Sequence, residues 1–255
     1  MGDDMDFRVG DVLSVACPFT ATRVTRLERD HVSLEWPWWG RDPDSESFHW
    51  NGIVAIGVAT DADEWTQPEL FRTDPPPEHL ASGDACRVGV PPTVAHVTAV
   101  DRFDPPLETG WLPRPRLAVA VLPRGRSVRE FPDGGHLNGT GYELHPGDGI
   151  PFTFELLFRP YAFLEPGDEV ADAAGRAWRF DGPWDWYAFD GGTAAAAPEW
   201  PLALLTRGGA PCAPEPAGEV AAATVPGSHA GTLAEWTRRT DAAPTRAGRA
   251  VPLLR

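Results

Sequence analysis

Apolar and polar side chains alternate with a period of two along much of this chain, in short runs. His31 to Trp36 sets Val32, Leu34 and Trp36 against His31, Ser33 and Glu35, the pattern of a strand with one face buried and the other wet. Phe7 to Ala16 reads as a strand entered through Gly10-Asp11 and closed by Pro18, and Ala21 to Leu27 as a half-buried antiparallel strand that turns at Glu28-Arg29-Asp30. Phe48 to Val58 resumes as strand around Asn51-Gly52, a pair that favours a tight hairpin turn between apolar runs. Five or so short strands in so few residues predict a small curled sheet or barrel.

The stretch from Gly10 to Arg29 is written a second time from Gly83 to Arg102. At a constant offset of 73, Gly10/Gly83, Asp11/Asp84, Val15/Val88, Pro18/Pro91, Thr20/Thr93, Val24/Val97, Thr25/Thr98 and Arg29/Arg102 match, which marks an internal duplication. The expected organisation is therefore a first β unit over residues 1–60, a Pro-rich connection over 61–82 containing Pro75-Pro76-Pro77, and a second β unit over 83–125. Its strands are Ala85 to Val90, Thr93 to Phe103 and Arg116 to Leu122. Residues 126–206 hold a Gly-rich loop, the aromatic run Ile150 to Leu164, and a turn at Glu165-Pro166-Gly167-Asp168 that opens a third, degenerate unit. Residues 207–255, rich in Ala, Pro, Gly and Thr, read as a largely irregular tail. One short helix is expected there, since Thr232-Leu233-Ala234-Glu235 has the form of a capping box and Arg238 and Arg239 suit a last turn. The fold class is all-β, mainly antiparallel, as two or three small barrel-like or sandwich-like units.

Composition supports the many turns, with 28 Pro and 26 Gly. All 22 positive side chains are Arg, which points to a high-GC bacterial genome. A formal net charge of −15 argues against a nucleic-acid partner, because phosphate contact needs clustered cations, and it suits solubility or a basic protein partner. No run approaches the roughly 20 continuous apolar residues that span a bilayer, and the start carries no export signal, so a cytoplasmic protein without membrane contact is expected. Cys17, Cys86 and Cys212 are far apart and lack metal-ligand spacing, so neither a disulfide framework nor a zinc site follows. No motif implies a cofactor or a bound metal.

Two features carry candidate chemistry. The first is the tryptophan content, 11 in all. Trp38, Trp39, Trp184 and Trp186 are the candidate binding residues, because adjacent Trp38 and Trp39 point to opposite sides of an extended chain and Trp is enriched at interface anchors. Core filling is the competing role, since burying one indole stabilises by about 4 to 6 kcal/mol as an upper bound. The second is the loop Asp133 to Asp148, where Asp133, His136, Tyr142 and His145 are candidate catalytic residues for acid-base or metal chemistry. Its glycines form no phosphate loop, and no nucleophile motif occurs elsewhere. The leading expectation is an intracellular protein-interaction module, adaptor or structural, within an assembly or of the immunity type. A metal-dependent or acid-base hydrolase using the 133–148 loop is the alternative, and a carbohydrate or small-ligand binder stacking on exposed Trp is a third class.

Overall fold

The computed structural model describes residues 5–46, 48–57, 70–126, 141–191 and 197–242. Ten strands come first: β1 (Val12–Leu27), β2 (His31–Glu35), β3 (Gly40–Arg41), β4 (Ile53–Gly57), β5 (Arg72–Asp74), β6 (Ala85–Arg102), β7 (Trp111–Leu112), β8 (Leu117–Pro123), β9 (Tyr142–Leu144) and β10 (Thr153–Phe158). A further five follow, β11 (Glu169–Ala171), β12 (Ala177–Gly182), β13 (Asp185–Ala188), β14 (Ala203–Arg207) and β15 (Ala210–Pro211), and then α1 (Pro214–Ala223) and α2 (Ser228–Thr240). The protein is mainly antiparallel β. An eight-stranded sheet runs β4-β2-β1-β6-β8-β9, with β10 on β1 and β5 on β6, and a five-stranded sheet runs β13-β12-β11-β14-β15.

The two copies of the repeat do not sit in separate units. They are β1 and β6, hydrogen-bonded to each other, and their pairing is self-symmetric. Adding 73 to one number and subtracting it from the other turns Val15↔Thr93 into Thr20↔Val88, Ser14↔Val94 into Ala21↔Arg87, and Val12↔His96 into Arg23↔Ala85. A local two-fold axis therefore passes between Cys17-Pro18 and Val90-Pro91. The flanking strands obey the same operation. Val24↔Leu34 and Arg26↔Ser33 on β1 and β2 match Val97↔Val121 and Ala99↔Ala120 on β6 and β8, with a register shift at the same point in each. At that shift the Thr25 hydroxyl donates to the Ser33 carbonyl at 3.1 Å, and its counterpart Thr98 donates to the Ala120 carbonyl at 3.2 Å. The duplication thus produced one sheet over one shared core, in which Leu13, Val15 and Val24 of one copy join Val88 and Val97 of the other.

Pro18 was expected to end a strand, and it does not. The chain continues through Pro18 and through Pro91-Pro92, and the ladder shifts register there, so the missing N–H groups fall where the pairing is already interrupted. Gly89 makes this crossing possible, since a Cβ on it would lie 2.8 Å from the Cys17 carbonyl oxygen. Part of the stretch expected as a connection also differs: β5 pairs with β6 and completes the sheet. Asn51-Gly52 supports only one strand, β4, with Gly52 at φ +87° and its carbonyl accepting from Trp36 N–H at 2.9 Å.

Each copy opens with the same turn, and so does the third unit. Gly10, Gly83 and Gly167 have φ of +87°, +93° and +93°, the region that favours glycine. The following aspartate closes the turn on the backbone N–H three residues earlier: Arg8 N–H to Asp11 at 2.9 Å, Ala81 N–H to Asp84 at 2.8 Å, Glu165 N–H to Asp168 at 2.9 Å. Beyond this the third unit repeats a feature not visible in its sequence. Arg159, just after β10, clasps Asp11 with Nε and Nη2 at 2.8 Å each and also donates to the Asp6 carbonyl. Arg207, at the end of β14, clasps Asp168 at 3.1 and 2.7 Å and donates to the Phe163 carbonyl at 2.9 Å. Asp6 and Phe163 each stand five residues before their aspartate.

The expected irregular tail with one helix is ordered differently over 207–242. It holds the end of β14, the β15 hairpin and two helices. The α1 helix starts with Pro214 at its first turn, buries Val220, and ends on Thr224, whose hydroxyl receives the Leu202 N–H at 2.9 Å. In α2 the Thr232 to Glu235 box lies inside the helix; Glu235 instead pairs with Arg238 and Arg239 at 2.7 and 2.6 Å. Trp236 is the anchor: it is buried, its Nε1 donates to the Gly10 carbonyl at 2.8 Å, and it packs with Val12 on the sheet face opposite the main core. A composition that looked like linker folds because an indole gives α2 an apolar contact that its mean sequence lacks. Among the described residues no helix is long and apolar enough to cross a membrane.

Candidate functional site

Of the four candidate catalytic residues, Asp133 and His136 lie outside the described residues. Tyr142 and His145 sit on and just after β9. Tyr142 pairs with Val121 of β8 and packs against the main core. His145 is nearly buried, with Nε2 2.7 Å from Glu143 Oε1 and Nδ1 3.8 Å from Asp148 Oδ2. Asp148, fully buried, accepts Trp39 Nε1–H at 2.9 Å and Ile150 N–H at 3.0 Å. Burial pushes the Asp148 carboxyl up, against these hydrogen bonds and the nearby imidazole, whereas the His145 hydrogen bond holds Glu143 below the usual range.

The imidazole is hydrogen-bonded only to Glu143, because 3.8 Å to Asp148 is too long for a hydrogen bond, and Asp148 is engaged in holding the Pro146–Gly149 turn beneath Trp39. The neighbouring Cys17 thiol is pushed up to about 11, chiefly by burial, so it is no nucleophile at neutral pH. At the β1–β2 turn, Glu28, Asp30 and His31 bring ligand-type atoms within 4.8 Å of one another on the surface, where His31 and Arg26 pair with the two carboxylates.

The candidate binding tryptophans are divided between two interior clusters. Trp38 and Trp39 are half-buried; Trp38 meets Trp36 edge-on at 4.8 Å, and Trp39 stacks on Trp111 at 4.5 Å with planes 10° apart. In the third unit Trp186 is buried against Phe180 at 4.9 Å, and Trp184, half-buried, meets Trp236 at 5.0 Å. The indole N–H groups of Trp36, Trp111, Trp186 and Trp200 are buried without a hydrogen-bond partner among the described residues, a measure of how far packing governs these rings.

Because Trp186 points inward, the pleat of β13 turns its neighbours outward. Tyr187 is 52 % exposed and Phe189, just past the strand end, 48 %; their rings meet edge-to-face at 5.5 Å on the surface. Arg179 of β12 lies over the Tyr187 ring at 5.1 Å. Around them stand Asp181, Asp185 and Asp190 against Arg176 and Arg179, an excess of one negative charge. β13 is the end strand of its sheet, so its outer edge offers backbone donors and acceptors, and no described strand pairs with it. Neither ring stood out in the sequence; the alternation in Asp185-Trp186-Tyr187-Ala188-Phe189, with the indole taken as the inward residue, would have found both. No protein-family model matches the chain, and no curated protein and no solved structure matches it, so these residues alone carry the functional reading.

Proposed function

We propose that this protein is an interaction module, adaptor or structural in role, which takes an extended, basic segment of another protein along the outer edge of β13. The observation that supports it most is the pair Tyr187, on the edge strand β13, and Phe189, just past its end, both set outward in a protein whose described tryptophans pack inward. An edge strand supplies main-chain hydrogen bonds to an added strand, and alternating side chains supply selectivity. Aromatic rings give large contact area with few rotors to freeze, which is why Tyr is frequent among residues that dominate binding. The charge of −15 favours a basic partner and speeds its encounter at low salt.

The test is affinity capture from extracts of the native host with the wild-type chain and with the double variant Tyr187→Ser/Phe189→Ser. Both rings are exposed, so the variant should fold with an unchanged circular dichroism spectrum. The reading expects a stoichiometric basic protein on the wild type that is lost from the variant, with affinity lowered about a hundredfold if each ring contributes about 1 to 2 kcal/mol. Equal retention by both proteins would refute it.

A further inference from the structure

At the junction of the large sheet and the third unit lies a cavity of about 340 Å³, within the size range of small-ligand sites. Its cationic wall is built from three arginines that reach it from different parts of the chain: Arg8 before the Gly10-Asp11 turn, Arg102 at the end of β6, and Arg159 after β10. Two of them are fixed from behind. Arg8 donates Nη1 to the Leu164 carbonyl at 2.9 Å, and Arg159 is held by its clasp on buried Asp11. Arg102 is not fixed; among the described residues its nearest charged partner is Asp6, at 3.7 Å, too long for a hydrogen bond.

All three guanidinium groups converge on one carboxylate, that of Asp6. Arg8 Nε is 2.9 Å from it, Arg102 Nη2 3.7 Å and Arg159 Nη1 4.0 Å. Asp6 is mostly exposed, near the start of the described chain, and one carboxylate leaves most of these donors unfilled. The cavity's two other acidic residues are paired elsewhere: Glu165 with Arg207 at 3.5 Å and Asp181 with Arg179 at 2.7 Å. Val9, Val100, Phe180 and Pro183 supply apolar wall beside the charged end.

We infer that this cavity binds a small organic anion, whose carboxylate or phosphate takes the place of the Asp6 side chain on Arg8, Arg102 and Arg159 while its apolar body lies against Val9, Val100, Phe180 and Pro183. Two prefixed guanidinium groups lower the ordering cost of binding, and planar Arg donors match both headgroups. Asp6 acts as the built-in competitor, so removing its charge exposes the site. This cavity shares Asp181 with the surface around Tyr187, but the inference does not depend on the binding role given to the β13 edge.

Calorimetry and ligand-detected NMR on the full chain test this with phenyl phosphate, phenylacetate and neutral benzyl alcohol. Both anions should bind and benzyl alcohol should not; the tighter anion identifies the headgroup. Asp6→Asn should tighten anion binding about tenfold, and Arg102→Gln should weaken it about tenfold. Both altered side chains are mostly exposed, and a far-ultraviolet spectrum checks that the fold is kept. Failure of either anion to bind Asp6→Asn at millimolar concentration would overturn the inference. So would benzyl alcohol binding as well as the anions, or affinities that ignore both substitutions.

Discussion

His96 gives the sharpest test of the packing beneath α2. It lies on β6 opposite Val12, is only 4 % exposed, meets Trp236 edge-on at 5.1 Å, and its Nδ1 has no partner among the described residues. Burial alone lowers its pKa from 6.5 to about 4. The sign follows from linkage: above pH 6.5 both folded and unfolded chains carry a neutral ring, and pH has no effect through this residue. Between pH 6.5 and about 4 the unfolded chain takes up a proton that the folded chain refuses, so stability falls with pH, by about 1.4 kcal/mol per unit and about 3 kcal/mol in all. Asp148 acts in the opposite direction over part of this range, because its raised pKa lets the folded form keep a proton longer. The comparison with His96→Leu cancels that contribution. Urea unfolding of both proteins from pH 7.5 to 4 should give curves that start within about 1.5 kcal/mol of each other and diverge by about 3 kcal/mol at the acid end, wild type losing more. Parallel curves would refute the burial of a neutral imidazole under α2.

Other consequences are as direct. Asp11→Asn should cost about 3 kcal/mol in urea unfolding because it strips a fully buried carboxylate from the Arg159 clasp, whereas Asp84→Asn, at the exposed copy of the same turn, should cost less than about 1 kcal/mol. Trp236→Ala should cost about 3 to 5 kcal/mol and release α2, read as new protease cleavage within Ser228–Thr240. At pH 7.5 the native protein should react with a thiol reagent at Cys212 far faster than at Cys17, whose thiol is buried and pushed up to about 11; urea should abolish the difference.

The β class and the duplication were legible because both are local: alternation gives strands, and an offset of 73 residues survives as matched Gly, Asp, Pro, Thr and Val. What the copies do with each other was not legible. Nothing in the string says that Val15 faces Thr93 and Thr20 faces Val88, since a β module can pair with its copy or fold beside it. Pro18 misled because proline normally ends a strand, and only at a ladder already out of step does its missing N–H cost little. The helices of 207–242 were hidden by Ala, Pro and Gly, residues common to linkers and to a helix such as α1 that begins with Pro214. At the candidate site, His145 and Asp148 were visible on one Gly-rich loop, but the indole N–H that Asp148 accepts comes from Trp39, 109 residues away. The exposed rings carry no mark in the sequence, because Tyr187 and Phe189 flank a run in which only the inward turn of Trp186 decides which face they take.

Site-specific photo-cross-linking in the native host bears most directly on the functional reading. A benzophenone side chain placed at Tyr187 should trap a discrete basic protein through an extended segment. The same probe at Trp38, which packs against Trp36 in the interior, should trap none. A partner captured from position 38, with nothing captured from position 187, would contradict the assignment of the binding surface to β13.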